Sequence, residues 1–301
     1  MVSVLSKTLC FGCEVQQVEH ESAALGGLKA VFSVIVPPCL RSEGETITPL
    51  LYYLSGLTCT DQNFIQKAGA CRAAAQHGVL IVAPDTSPRG AGVPGEDDAY
   101  DFGTGAGFYV NATAEAYRKH YRMYDYVTRE LPQVVHEMFP VPAAAAAAAA
   151  SSPKRPSSIF GHSMGGHGAL VCALRNPGVY RSVSAFAPIA HPSACPWGQK
   201  AFQGYLGSVE AGRAEYDATE LVRDAQRVRQ CGWDTILIDQ GAEDNFLHAG
   251  QLRPEDFVQA AESAGQSVTL RYQPGYDHSY FFIQTFVDAH IAFHAKRLHA
   301  Q

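Results

Sequence analysis

The stretch Ser157-Ser158-Ile159-Phe160-Gly161-His162-Ser163-Met164-Gly165-Gly166 decides how the rest of the chain is read. Ser157–Phe160 has the character of a core strand, Gly165–Arg175 that of an apolar helix, and Ser163 falls on the turn between them. A serine on such a turn is held in a strained backbone conformation with its hydroxyl presented outward. The flanking glycines let strand and helix approach without side-chain clashes. Gly-x-Ser-x-Gly arises by chance in chains of this length, so its place between a strand and a helix is what makes Ser163 a candidate nucleophile.

Working outward, apolar runs bounded by turn residues recur at Ala30–Val36, Leu50–Leu54, Val79–Ala83, Ser182–Phe186, Thr235–Asp239 and Val268–Tyr272. Helical stretches lie between them, at Asn63–His77, Tyr121–Phe139, Pro254–Ala264 and Phe281–Leu298. Gly78 follows the first of these as a C-cap, and Pro254 opens the third where a missing N–H costs nothing. Strands alternating with helices predict an α/β protein with a mostly parallel central sheet and helices on both faces. With 301 residues, of which 47% are hydrophobic and 17% charged, the chain is long enough for one large α/β domain spanning residues 1–301.

A serine hydroxyl is a poor nucleophile at neutral pH. It needs an imidazole to take its proton and a carboxylate to orient that imidazole. In the α/β-hydrolase arrangement the partners follow in the order Ser, Asp or Glu, His, each on a loop after a strand. Asp244 follows the run Thr235–Asp239 by a short turn and is the chosen acid; Glu243 in the same turn and Asp239 at the strand end compete with it. Of the twelve histidines, His278 lies between the last expected strand and the C-terminal helix, where the base belongs. His162 and His167 flank the serine, but adjacency in sequence does not aim a ring at it, and both read as packing or turn residues. The oxyanion requires two N–H donors: Met164, directly after the nucleophile, and Leu57, in the loop after Leu50–Leu54.

Other features narrow the class. A net charge of −6 and the lack of a Lys/Arg cluster argue against a nucleic-acid partner. The N-terminus shows no basic segment leading into a sustained apolar run, and no later run is long enough to span a bilayer, so a cytoplasmic protein without a membrane partner is expected. The eight scattered cysteines read as reduced thiols, including the unsupported pair Cys10 and Cys13. Residues 142–156, with an alanine run between prolines, read as a mobile surface insertion, because so short a run does not sustain a helix in water.

Several longer stretches resemble the S-formylglutathione hydrolase (esterase D) family: Leu54-Ser55-Gly56-Leu57-Thr58-Cys59-Thr60, Ala83-Pro84-Asp85-Thr86-Ser87-Pro88-Arg89-Gly90, Asp101-Phe102-Gly103-Thr104-Gly105-Ala106-Gly107, Phe160–Leu170, Cys195-Pro196-Trp197-Gly198 and Gly275-Tyr276-Asp277-His278-Ser279-Tyr280. The resemblance runs from about Cys10 to the C-terminus. It implies hydrolysis of the thioester S-formylglutathione to glutathione and formate, in formaldehyde detoxification, with Ser163, Asp244 and His278 as the triad and neither metal nor cofactor. It also implies that Cys59 is the family cysteine near the active site, that Trp197 walls the substrate pocket, and that Lys200 attracts a glutathione carboxylate. A homodimer is expected from the resemblance alone. The chain departs from the family in its alanine-rich insertion and in Tyr100, where tryptophan often stands. Competing expectations are a general short-acyl esterase, an acyltransferase on the same triad, and a binding protein that has lost catalysis.

Overall fold

Apolar strands of five to seven residues fill the middle of the molecule in the computed structural model, which describes residues 2–41, 47–142 and 155–300. In chain order the strands are β1 (Val2–Cys10), β2 (Cys13–Ser22), β3 (Leu28–Val36), β4 (Leu50–Leu54), β5 (Leu80–Pro84), β6 (Ser157–His162), β7 (Tyr180–Phe186), β8 (Ile236–Gly241) and β9 (Val268–Gln273). They join in one sheet in the order β1-β2-β3-β5-β4-β6-β7-β8-β9. Pairing is antiparallel from β1 to β5 and parallel from there to β9. Strands β4 and β5, in the middle of the sheet, are buried along their whole length, as near-continuous apolar runs should be when helices cover both sides. The alanine-rich stretch at 143–154, expected to be a mobile insertion, lies outside the described residues; β4 before it pairs with β6 after it.

The principal helices are α1 (Asp61–Lys67), α2 (Cys71–His77), α3 (Leu131–Met138), α4 (Met164–Arg175), α5 (Pro196–Leu206), α6 (Val209–Tyr216), α7 (Ala225–Cys231), α8 (Pro254–Ser263) and α9 (Tyr280–Leu298). Side-chain alternation along β7 shows that helices lie on both faces. Ser182, Ser184 and Phe186 contact His294 and His290 of α9, whereas Ala185 points the other way, 3.4 Å from where a Cβ on Gly166 of α4 would sit.

Three elements differ from the sequence-based picture. The hairpin β1–β2 was absent from the sequence reading, because its strands mix polar and apolar residues at the sheet's open edge. Its loop is Phe11-Gly12, with φ of 49° and 78°, and Cys10 and Cys13 are the pair that closes it. The single helix expected over Asn63–His77 is two, interrupted at Gly69 with φ of 71°, and the first begins at a capping box built by Thr60 and Asn63. The continuous helix expected over Tyr121–Phe139 passes through a π-helical turn, Tyr126–Glu130, in which Leu131 N–H reaches back to Tyr126 O. The register slips just before Pro132, which has no N–H to contribute.

Because β4, β6, β8 and β9 run parallel, the loops that leave their C-terminal ends gather on one rim of the sheet. Those loops carry Leu57, Ser163, Asp244 and His278.

Candidate active site

Ser163 joins β6 to α4 with φ 57° and ψ −119°, a conformation rarely adopted by a residue with a side chain. Its backbone is held on both sides: Ser163 N–H donates to Phe186 O at 2.9 Å, and Ser163 O accepts from His167 and Ile189 N–H. The turn is possible only with glycine beside it. A Cβ on Gly165 would lie 2.0 Å from Leu54 O, and one on Gly161 would lie 2.2 Å from Gly165 O.

Asp244 stands after β8 and caps a short helical turn, Asn245–His248, through bonds from Phe246 and Leu247 N–H to its Oδ1. Its other oxygen accepts from His278 Nδ1 at 2.6 Å and from Gln240 Nε2 at 3.0 Å. Asp244 is fully buried, which by itself would raise its pKa; the bonds from His278, Phe246 N–H and Gln240 outweigh burial and hold it below the usual carboxylate value. The two competing carboxylates lie elsewhere: Glu243 is exposed, and Asp239 is bound to Arg271 and His290.

Ser163 and His278 line the same cavity, of about 190 Å³, with Gly56, Leu57, Thr58, Cys59, Tyr100, His162, Trp197 and Phe246. The loop bearing Leu57 is fixed from several directions: Ser55 O accepts from Tyr109 Oη, Thr58 N–H donates to Gly105 O, and Cys59 O accepts from Thr86 Oγ1 and Arg89 Nη2. Among the described residues, neither Leu57 N–H nor Met164 N–H donates to a protein group. Met164 N–H also opens the twelve-residue helix α4, whose dipole favours negative charge at that end.

Of the pocket candidates, Cys59 and Trp197 line the cavity and Lys200 does not. Lys200 is paired with Asp101, on a loop whose closeness no spacing in the sequence announces. Burial pushes the Cys59 thiol up despite nearby Tyr280 and Lys67, so it is held as the neutral thiol. His167 donates its Nε2 proton to Phe108 O, as a packing residue would, and burial lowers its pKa to about 4. His162 is closer to the chemistry than the sequence suggested: its ring packs 4.3 Å from that of His278. Burial first, and then the neighbouring His278 charge, hold the His162 ring neutral.

The sequence reading also missed Phe246. Its ring meets His278 edge-on at 4.9 Å and Trp197 at 4.7 Å, and Trp197 Nε1 donates to Tyr100 Oη at 3.2 Å. These rings form an aromatic wall from the rim of the cavity to His278. The signal was the Asp-Asn-Phe sequence after β8, since an Asp N-cap places the residue two positions on against the loop it caps. Among the described residues no cluster of three or more His, Cys, Asp or Glu side chains could hold a metal ion, and no helix is long and apolar enough to cross a membrane.

Residues 22–293 match the family described as "Putative esterase". The chain is 54% identical over 296 residues to the S-formylglutathione hydrolase of Mus musculus, covering 98% of both chains, and 49% identical to that of Arabidopsis thaliana, covering 99% of this chain and 98% of the relative. A solved S-formylglutathione hydrolase from Agrobacterium tumefaciens superposes with a TM-score of 0.87 at 42% identity, over 98% of this chain and 99% of the other. A ferulic acid esterase, at 17% identity and a TM-score of 0.69, shares the fold.

Proposed function

From the premise that this chain belongs to the S-formylglutathione hydrolase family of esterases, we propose that it hydrolyses S-formylglutathione to glutathione and formate through Ser163, His278 and Asp244. The observation that carries the mechanism is the 2.6 Å bond from His278 Nδ1 to Asp244, beside a cavity that holds both Ser163 and His278. Because ionised Asp244 only accepts, it fixes the proton on His278 Nδ1 and leaves Nε2 as the base. Nε2 takes the Ser163 proton as Oγ bonds to the formyl carbon. The oxygen that gains charge is held by Leu57 and Met164 N–H, each worth roughly 3 kcal/mol of barrier. The C–S bond then breaks, and sulfur leaves with its electron pair and the proton returned by His278. Water, deprotonated by the same nitrogen, attacks the formyl-serine; the bond from the formyl carbon to Oγ breaks, Ser163 recovers its proton from His278, and formate leaves.

The small, aromatic cavity also supports a second reading. None of the residues lining it is a Lys, Arg, Asp or Glu, so it presents no charged group to recognise glutathione's carboxylates; it suits a short acyl group on any good leaving group. Short-chain esters are therefore expected as side substrates. We further propose action in the cytoplasm as a homodimer, with no cofactor and no nucleic-acid or membrane partner. Steady-state turnover of S-formylglutathione beside a short-chain p-nitrophenyl ester, for wild type and Ser163→Ala, tests the assignment. Preference for the thioester, lost on substitution, supports it; equal or better ester turnover favours the broader esterase.

A further inference from the structure

Behind the catalytic rim, a line of polar side chains crosses the otherwise apolar layer between the sheet and α9. His290 Nε2 lies 3.2 Å from Asp239 Oδ2, and its Nδ1 lies 2.8 Å from Ser184 Oγ. Ser184 Oγ is 2.7 Å from His294 Nε2, His294 Nδ1 is 2.7 Å from Ser182 Oγ, and Ser182 Oγ is 2.7 Å from Ser158 Oγ. All six residues are fully buried. The ionised Asp239 fixes every proton in the line. It only accepts, so His290 donates from Nε2 and accepts Ser184's proton at Nδ1; His294 then donates to Ser184 and accepts from Ser182, which accepts from Ser158.

Asp239 also contacts the elements that carry Asp244 and His278, and it reaches Ser163 indirectly through the end of β7. It sits on β8, five residues before Asp244. Arg271 of β9, the strand leading to His278, donates to it through Nε and Nη2, both at 2.6 Å. His290 belongs to α9, which starts two residues after His278. On the β7 side, Asp239 O accepts from Ala187 N–H at 2.8 Å, and the adjoining Phe186 stacks on His290 at 3.8 Å while its carbonyl holds Ser163 N–H.

We propose that Asp239 and His290 are positioning residues of the hydrolysis, fixing the loops of Asp244 and His278 relative to Ser163 through a buried array with one proton order. The proposal rests on the serine-hydrolase reading above. Apolar side chains would pack α9 onto the sheet without desolvating a carboxylate, but they slide; a directional array allows one register. A shift of an ångström in such a support is enough to cost up to about a hundredfold in turnover.

Three variants test this: Asp239→Asn, His290→Leu and His290→Gln, with Val34→Ala on β3, remote from the catalytic loops, as a destabilised control. Their kcat and KM for S-formylglutathione are measured well below each variant's melting temperature. Asp239→Asn and His290→Leu should lose about tenfold to a hundredfold in kcat with KM changed less than threefold. His290→Gln, which keeps a donor and an acceptor, should recover most of that loss, and Val34→Ala should keep wild-type kcat. Unchanged kcat in Asp239→Asn, equal loss in the control, or no difference between His290→Leu and His290→Gln would overturn the proposal. So would failure of all three array variants to fold, which would make the array a folding element only. A wild type inactive on thioester and ester would instead defeat the hydrolase reading itself.

Discussion

Two Asp–His pairs, each with a serine nearby, lie along this sheet, and only one of these lines opens on a cavity. Asp244–His278 faces a cavity that also holds Ser163, on a strained turn with two unspent amides beside it; Asp239–His290–Ser184 is sealed in the core with every proton committed. Ser184 lies in regular strand β7, whereas Ser163 adopts a positive φ that lifts its hydroxyl to the rim. Residue types alone do not make a nucleophile: access, an uncommitted base nitrogen and donors for the oxyanion separate the lines.

The largest effect that sharpens this contrast is on tautomer control. Asp244→Asn should lower kcat by about 10⁴-fold with little change in melting temperature, since the amide can no longer fix the proton on His278 Nδ1. The same change at Asp239 should cost at most about a hundredfold. If the two substitutions cost the same, measured side by side on S-formylglutathione, the assigned acid is wrong. Next comes the turn: Gly165→Ala drives a Cβ against Leu54 O and should destabilise the protein by about 4 kcal/mol, read from chemical denaturation. A stable, active Gly165→Ala would show that the strained turn is not required.

How far the sequence made these lines legible follows from their reach. Ser163, Asp244 and His278 could be placed because each is defined by a nearby strand end, and the strands from Leu50 onward are short apolar runs. Lys200 could not, because its Asp101 partner is brought to it only by the tertiary fold. The β1–β2 hairpin was hidden by its mixed composition, and the break at Gly69 by an apolar pattern that continues across it. The buried array did leave a trace: Ser182 and Ser184 recur every second residue in an apolar strand, and His290 and His294 lie one helical turn apart on α9. That pattern marks polar groups meeting across a packed layer, but not their partner Asp239.

Smaller effects probe the sealed line by pH. Burial holds His290 below its ordinary value, with Asp239 opposing and Arg271 reinforcing, and it holds His294 lower still, with the His290 and Arg297 charges adding to it. Their folded pKa values lie below the unfolded value of about 6.5, so the unfolded chain binds protons first as pH falls. Stability is therefore complete above about pH 6.5 and declines below it, by at most about 1.4 kcal/mol per pH unit for each histidine. Melting temperatures from pH 7.5 to 5 should fall for wild type and fall less for His290→Gln; parallel curves would remove His290 from the account. Phe246→Leu should have the smallest effect, about 1 kcal/mol in kcat/KM, because it removes an edge contact to His278 but keeps the amide bonded to Asp244. A loss comparable to that of Asp244→Asn would mean that the aromatic wall, rather than the carboxylate, orients the base.

The most direct test of the contrast is labelling with a serine-directed fluorophosphonate, followed by peptide mapping of the folded protein. The account predicts a single adduct, on Ser163, that still forms in Ser184→Ala and is lost in His278→Ala. An adduct on any other serine, or none on wild type, would contradict it.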